Sequence, residues 1–228
     1  MQFFGLDDDE RVIAETAAAF AEKRLAPNAL EWDKLHHFPV DELREAAALG
    51  MAAIYCNEDA GGSGLRRIDA VRIFEQLAAA DPTVAAFLSI HNMCAWMVDT
   101  YGTDEQRKSW VPRLASMDAI ASYCLTEPGA GSDASALRTK AVRDGDHYVL
   151  DGVKQFISGA GASDVYIVMA RTGDPETKPG PRGISAFIVE KDTEGLSFGA
   201  NEEKMGWNAQ PTAQVVFEGA RVPADAML

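Results

Sequence analysis

The feature of this sequence that most limits its fold is the uneven distribution of glycine. Residues 1–118 contain 6 of the 19 glycines, whereas residues 119–228 contain the other 13. Glycine weakens helices and is frequent in tight turns, so the division indicates a helical region followed by a region of short strands. We therefore predict an α+β protein with an all-α domain over residues 1–118 and an antiparallel β-barrel or sandwich domain over residues 119–228.

Start and stop signals place helices within the first region. Asp81 and Pro82 fit the N-cap and first position of a long helix, and Thr103 with Gln106 fits a capping box. The long helix is apolar on nearly all sides, which predicts that it is buried inside the protein. The predicted helices are one that opens with acidic residues 7–10 and weakens near Pro27, then 41–49, 67–80, 82–99, and a short helix from 103 to Trp110.

The second region alternates short apolar runs with turn signals. Asp144–Gly145 predicts a hairpin turn, and Asp151–Gly152 predicts another turn in the same meander. No helix-like periodicity separates the runs, which favours an all-β domain. The predicted strands are 119–125, 137–142, 148–150, 165–171, 184–190 and 213–218.

Charge and apolar content exclude several classes of partner. The formal net charge is −14 and the sequence pI is about 4.6, which disfavours binding to nucleic acid or to an anionic membrane. No run reaches the roughly 18 apolar residues that a membrane span needs, and the first ten residues do not resemble a signal peptide. We therefore predict a cytoplasmic protein.

The cysteine and histidine pattern argues against disulfides and metal. Cys56, Cys94 and Cys124 are far apart in sequence and form no C-x-x-C pair. His91 and Cys94 have helical i, i+3 spacing, but a metal site needs three or four ligands and no others match. We predict no metal site. Cys124 has no basic neighbour in sequence and the chain has no G-x-S-x-G motif, so nucleophilic catalysis has little support.

The segment YCLTEPGAGSD at residues 123–133 is the most unusual in the chain. Gly129, Gly131 and Ala134 satisfy G-x-G-x-x-A, but a strand follows rather than a helix, which disfavours a dinucleotide-binding fold. A phosphate-binding Walker loop would need a terminal lysine that is absent. Two interpretations remain: an ordinary β-turn loop, or a loop whose backbone N–H groups approach an anion beside the hydroxyls of Thr126 and Ser132.

The segment QFISGAG at residues 155–161 also has two interpretations. Strand alternation places Phe156 and Ser158 on one face, where an aromatic plane beside a hydroxyl suits a flat heteroaromatic ligand. Taken alone, the same pattern fits core packing with a satisfied hydroxyl. Two such segments in one β domain favour a cofactor.

Together, YCLTEPGAGSD and FISGAG resemble the acyl-CoA dehydrogenase flavoproteins. The resemblance extends over the chain: it includes GGSG at 61–64, SIHNMCAWM at 89–97 and KMGWNAQPTAQVVFEGARVP at 204–223. It implies a helical N-terminal domain, a middle β domain and a C-terminal four-helix domain. That third domain would begin near Leu228, where this sequence stops.

The resemblance implies FAD as the cofactor and assigns roles to residues of both segments. Leu125 and Thr126 would hydrogen-bond the pyrimidine side of the flavin, Phe156 would pack against the ring, and Ser158 would contact the ring nitrogen that receives a hydride. Ser132 would hold a phosphate-bearing part of the acyl-CoA substrate. The full implied cofactor-binding set is Tyr123, Leu125, Thr126, Gly131, Ser132, Phe156, Ile157 and Ser158.

The implied reaction is α,β-dehydrogenation, in which a carboxylate removes the α-proton of an acyl thioester while the β-hydrogen leaves as hydride. The resemblance is strongest to members that act on short branched acyl-CoA, such as isobutyryl-CoA, in valine breakdown. The family's base is a glutamate of the C-terminal domain, so no catalytic residue is assigned here. Glu127 is not given that role, and residues 1–228 alone are predicted to be inactive.

The resemblance further implies an electron-transfer flavoprotein as acceptor and a homo-oligomer, a tetramer in the full-length form. A bacterial member would be cytoplasmic, and a mature eukaryotic member would lie in the mitochondrial matrix. Two alternatives stay open: a non-catalytic flavin or acyl-CoA binding module, and an acyl-CoA oxidase, which passes electrons to oxygen.

Overall fold

The computed structural model describes residues 7–173 and 180–228. Their contacts divide the chain into two compact units. The helical unit contains residues up to Asp99 together with Lys108–Asp118 and Lys204–Gln210. The β unit contains Thr100–Arg107, Ala119–Glu203 and Pro211–Leu228.

The helices follow the predicted signals closely. The predicted start at the acidic residues, the helix at 67–80 and the long helix from Pro82 are confirmed, whereas the helix α2 was not predicted. The last helix is longer than expected, because it continues past Trp110 through Pro112. The helices are α1 Asp8–Phe20, which continues as a π-helical turn over Ala21–Leu25, α2 Ala29–Leu35, α3 Val40–Ala48, α4 Arg67–Ala80, α5 Pro82–Tyr101 and α6 Asp104–Ala115.

Helix α5 forms the buried centre of the helical unit. The Asp81 carboxylate accepts hydrogen bonds from the backbone N–H groups of Thr83 and Val84, at 2.7 and 3.3 Å, which confirms the predicted N-cap. Two polar residues in the middle of the helix, His91 and Asn92, are fully buried. Helix α5 is buried because apolar residues lie on all of its sides.

An ion-pair network ties α1 to α4. Arg66 and Arg72 donate to Glu10 at 2.7 and 2.8 Å, and both also pair with Asp69. The hydrogen bond from Arg66 is the largest cause that lowers the pKa of Asp69, and likewise of Glu10. The network joins helices that are distant in sequence and helps to bury their apolar faces.

The β unit is built on one seven-stranded sheet. Its order is β1-β4-β2-β3-β7-β6, with β5 on the other side of β4. Strand β4 runs parallel to β1 and β2, and the other pairs are antiparallel. The strands are β1 Ala121–Cys124, β2 Lys140–Asp144, β3 His147–Ser158, β4 Val165–Arg171, β5 Ile184–Glu190, β6 Leu196–Phe198 and β7 Thr212–Pro223.

The predicted β region is confirmed, but the sheet is mixed rather than purely antiparallel. A parallel pair needs a long connection, and the β2–β3 hairpin lies between β1 and β4 in sequence and supplies it. The strands predicted at 165–171 and 184–190 have the predicted bounds, and the hairpin turn at Asp144–Gly145 is confirmed. The short strand β6 was not predicted.

The turn predicted at Asp151–Gly152 is wrong, because β3 continues through both residues. Gly152 has φ +150°, and a Cβ atom there would lie 2.5 Å from the Thr139 hydroxyl oxygen and 2.7 Å from the Thr139 Cα. A register shift between Leu150 and Asp151 marks a bulge. The glycine therefore serves close backbone packing within a bulged strand rather than a chain reversal.

In the parts of the chain that the structure describes, no helix is long and apolar enough to cross a membrane. The same described residues contain no cluster of three or more histidine, cysteine, aspartate or glutamate side chains that could hold a metal ion.

Candidate functional site

The two unusual segments predicted from sequence lie side by side in the β unit. The backbone N–H of Gln155 donates to the Thr126 carbonyl at 2.8 Å. The Ser122 hydroxyl donates to the Ser158 carbonyl at 2.5 Å, so β1 is joined to the end of β3 as well. The segments at residues 123–133 and 155–158 are therefore neighbours that are hydrogen-bonded to each other.

A buried ion pair lies beneath the first segment. The Lys154 side chain is fully buried, and its Nζ donates to the Glu127 carboxylate at 2.8 Å and to the Leu125 carbonyl at 3.1 Å. Glu127 also accepts from the backbone N–H groups of Arg138 and Thr139, at 2.6 and 2.9 Å. Burial alone would raise the pKa of Glu127, but the hydrogen bonds from Lys154, Thr139 and Arg138 outweigh burial and lower it. Glu127 is therefore held as a carboxylate.

The outer side of this segment carries donors that the fold does not use. Among the described residues, no protein atom accepts a hydrogen bond from the backbone N–H of Leu125, the backbone N–H of Thr126 or the Thr126 hydroxyl. Both residues are only half-buried, and Tyr123 on β1 is half-buried too. Buried backbone N–H groups nearly always find a protein or water partner, so these partly buried consecutive donors are candidates to bind a ligand with acceptor atoms.

Phe156 lies next to these donors in an unusual conformation. It has φ +59°, and 58% of its surface is exposed. A register shift between Lys154 and Ile157 produces this geometry, since a bulge in β3 turns the phenyl ring outward. The core-packing interpretation of Phe156 is therefore wrong. An exposed aromatic ring in a left-handed backbone is an unfavourable arrangement that suggests function.

The neighbours of Phe156 differ in burial. The Ile157 side chain lies in the core of the sheet with 3% exposure, so a ligand could contact only its backbone. Ser158 is half-buried and its backbone pairs with Thr212 of β7. Phe156 and Ser158 thus both lie outside the core, as predicted, but a bulge rather than strict alternation turns Phe156 outward.

The loop after Glu127 is open. Gly131 and Ser132 are exposed, and a Cβ atom added at Gly129 or Gly131 would meet no other atom within 4 Å. Neither glycine has a left-handed backbone. The fold itself does not need glycine at these positions, so the space is available for close approach of a ligand to the backbone.

These residues fit a flavin. A flavin ring has a flat apolar face, and its pyrimidine edge carries acceptor atoms. The exposed Phe156 ring matches the face, and the unused donors of Leu125 and Thr126 match the edge. The fit rests on this chain's own geometry and does not depend on the resemblance.

Other candidate groups in the chain are structural. Burial raises the pKa of the Cys124 thiol, which makes it a poor nucleophile. The His91 ring nitrogen Nε2 is 2.9 Å from the Leu114 carbonyl, and burial lowers the pKa of His91 to about 4. Cys94 is buried beside it on α5. His91 and Cys94 are thus buried in the helical unit, and Cys124 lies in the core of the β unit.

The sequence missed Lys154, which holds the first segment in place. Glu127 lies within the first segment, but its partner lies 27 residues later and nothing in the local pattern connects the two. Strand alternation places Lys154 on the same face as the apolar Tyr148 and Leu150. This was the signal that could have found it, because a buried ammonium needs a partner.

A cavity of about 800 Å³ occupies another part of the β unit. Its lining includes the cations Arg138, Lys140, Arg143 and Arg171, and none of the predicted flavin-binding residues. Arg171 donates to the carbonyls of Ser135, Leu137 and Gly180, so at least this cation has a structural role.

Comparison with known proteins gives two family matches. The family model described as acyl-CoA dehydrogenase, N-terminal domain, matches residues 7–118. The model described as acyl-CoA dehydrogenase, middle domain, matches residues 122–220. Both matches together include most of the chain.

Individual relatives agree with these matches. Mitochondrial isobutyryl-CoA dehydrogenases of Dictyostelium discoideum and Bos taurus are 57% and 52% identical to this chain over 98% and 96% of its length. A solved glutaryl-CoA dehydrogenase from Mycobacterium smegmatis, in complex with FADH2, aligns with a TM-score of 0.90 and 33% identity over 97% of this chain and 55% of its own. The chain spans about half the length of the curated relatives it matches, 53% and 52% of the two named.

Proposed function

The chain belongs to the acyl-CoA dehydrogenase family, and from this premise we propose that it forms the FAD-holding part of an enzyme that dehydrogenates short branched acyl-CoA thioesters such as isobutyryl-CoA. The observation that carries the proposal is the exposed Phe156 ring beside the unused backbone donors of Leu125 and Thr126. The identity to two isobutyryl-CoA dehydrogenases supports the choice of substrate.

Each residue has a stated role in this proposal. Leu125 and Thr126 donate hydrogen bonds to the pyrimidine edge of the flavin, and Phe156 covers the ring and excludes water. Ser158 would contact the ring nitrogen that receives the hydride. Gly131 would leave room for the ligand, and the Ser132 hydroxyl would hold a phosphate-bearing part of the acyl-CoA. When bound, FAD supplies a two-electron acceptor for the hydride that leaves the substrate.

We assign no proton-abstracting base among the described residues. Glu127 is the buried carboxylate nearest the site in sequence, but its oxygens accept from Lys154 and two backbone N–H groups. Those donors stabilise the ionised form and leave it little tendency to take a proton. The proposed electron acceptor is an electron-transfer flavoprotein, and the proposed assembly is a homo-oligomer in the cytoplasm.

The visible absorption spectrum of the purified protein tests the proposal first. We expect the spectrum of oxidised flavin, and in a full-length protein that carries the implied C-terminal base we expect isobutyryl-CoA to bleach it faster than octanoyl-CoA under anaerobic conditions. A protein that binds no flavin, or a flavin that no acyl-CoA reduces in that full-length protein, would contradict the proposal. Rapid reoxidation by oxygen alone would indicate an oxidase instead.

A substitution tests whether Ser158 contacts the flavin or only supports the fold. In the full-length protein, Ser158→Ala should slow flavin reduction by about tenfold, which corresponds to the loss of one hydrogen bond of about 1.4 kcal/mol. Ser197→Ala on strand β6 is the matched control, because Ser197 is exposed and lies outside the proposed site. Equal reduction rates for the two variants in stopped-flow measurements would remove Ser158 from the site.

A further inference from the structure

We propose that Lys154 is a positioning residue for the flavin: its buried ammonium fixes the peptide between Leu125 and Thr126 so that the N–H of Thr126 points outward. The inference rests on the proposed function, since it concerns the same donors. It adds a residue that touches no ligand itself.

The geometry of a trans peptide carries the first step. The carbonyl of Leu125 and the N–H of Thr126 belong to one planar unit, in which the two groups point in opposite directions. Lys154 Nζ donates to the Leu125 carbonyl at 3.1 Å, which holds that carbonyl toward the protein interior. The N–H of Thr126 must then point away from Lys154, toward the open side of the segment.

The next peptide is fixed by the neighbouring residue of the same strand. Gln155 N–H donates to the Thr126 carbonyl at 2.8 Å, and the Glu127 N–H donates to the Ala130 carbonyl at 3.1 Å. Both peptides that flank Thr126 are therefore held by consecutive residues of β3, immediately before the bulge that exposes Phe156. One strand thus positions the donors and presents the aromatic ring.

Glu127 makes the arrangement possible. A buried ammonium without a counter-charge is strongly unfavourable, and Glu127 supplies that charge at 2.8 Å. Glu127 is in turn fixed by the N–H groups of Arg138 and Thr139, so its carboxylate cannot swing away from Lys154. The bond from a charged donor also polarises the Leu125 peptide, which strengthens Thr126 N–H as a donor.

The test compares Lys154→Met with Lys204→Met. Lys204 is a matched control because its Nζ also donates to two backbone carbonyls, those of Trp207 and Gln210, in a loop of the helical unit. Wild-type apoprotein is first titrated with FAD, and failure of the wild type to bind would overturn the proposed function rather than this inference. We then expect Lys154→Met to weaken FAD binding by at least about tenfold, and Lys204→Met to change it less than twofold.

The double variant Glu127→Gln with Lys154→Met separates positioning from folding. It leaves no unpaired buried charge, so it should fold even if Lys154→Met does not, and the glutamine oxygen still offers an acceptor to Arg138 N–H. We expect its FAD affinity to stay reduced by about tenfold, and the infrared carbonyl bands of bound FAD to shift toward weaker hydrogen bonding. Wild-type affinity with unchanged bands in this variant would overturn the proposal.

Discussion

The helical unit and the β unit both bury polar side chains, but they use them in different ways. In the helical unit, Asn92 accepts from Ile54 N–H at 2.7 Å and donates to the carbonyls of Met51 and Leu88 at 2.8 Å. These bonds satisfy groups that the fold would otherwise leave unpaired. In the β unit, Lys154 and Glu127 hold a segment whose own donors at Leu125 and Thr126 remain unused.

The difference separates what maintains the fold from what prepares a site. A buried network that satisfies the backbone groups around it and leaves no adjacent donor unused is expected to affect stability alone. A buried network that leaves adjacent donors pointing outward is expected to affect ligand binding as well.

The largest effect is expected from Asn92→Leu. The change leaves the buried Ile54 N–H and Met51 carbonyl without partners, which should lower the free energy of unfolding by about 2 to 6 kcal/mol. Urea denaturation measures the loss. FAD affinity of the folded fraction should stay within twofold of wild type, and a selective loss of FAD binding would break the comparison.

Two glycines of the β unit allow the effects on stability and on ligand binding to be compared within one unit. Gly152→Ala forces a Cβ atom to within 3 Å of Thr139 and should reduce stability by about 2 to 5 kcal/mol. Gly131→Ala meets no atom and should change stability by less than about 0.5 kcal/mol, yet weaken ligand binding. Denaturation and FAD or acyl-CoA titration of both variants decide this. A strongly destabilised Gly131→Ala would show that the glycine serves the fold.

The pH dependence of stability tests whether buried His91 contributes to the stability of the helical unit. Burial lowers the pKa of His91 from its usual 6.5 to about 4, so the folded state favours the neutral ring. The contribution is fully present above pH 6.5 and is lost as the pH falls from about 6.5 to 4, at most about 3 kcal/mol.

The control for this pH effect is His91→Gln, which does not titrate and can still donate to the Leu114 carbonyl. Its stability should fall less than that of wild type between pH 6.5 and pH 4. Identical pH profiles for the two proteins, measured by denaturation at several pH values, would show that His91 does not cause the loss.

Stability and FAD binding are expected to change in opposite directions for Phe156→Gly. Glycine adopts φ +59° without strain, so the variant should be as stable as wild type or gain up to about 1 kcal/mol. The same variant should bind FAD more weakly, because the aromatic plane is lost. A variant that is less stable but binds FAD normally would contradict the role given to Phe156.

Much of the fold was predictable because its signals are local. The glycine-rich segment at 61–64, which is unfavourable in a helix, and the Asp81–Pro82 cap indicated the bounds of α4 and the start of α5. The two apolar runs that form β4 and β5 were bounded by turn residues. The continuation of β3 was not predictable, because Asp–Gly is typical of turns and only contact with Thr139 explains Gly152. Long-range packing decided that position.

Some features of the candidate site were likewise predictable from local sequence, and others were not. The two unusual segments were found by composition and by the resemblance, whereas the outward ring of Phe156 depends on a bulge that no local pattern indicates. The parallel pairing of β1 with β4 and the Lys154–Glu127 contact both join residues far apart in sequence. Such contacts follow from the whole sheet and not from any short segment.

Hydrogen–deuterium exchange with and without FAD tests the central claim most directly, because it reports backbone N–H groups individually or by short peptide. The account predicts that FAD slows exchange in peptides that contain Leu125 and Thr126, and leaves exchange in the middle of α5 around Asn92 unchanged. FAD binding without protection at Leu125 and Thr126, or with protection confined to the helical unit, would contradict it.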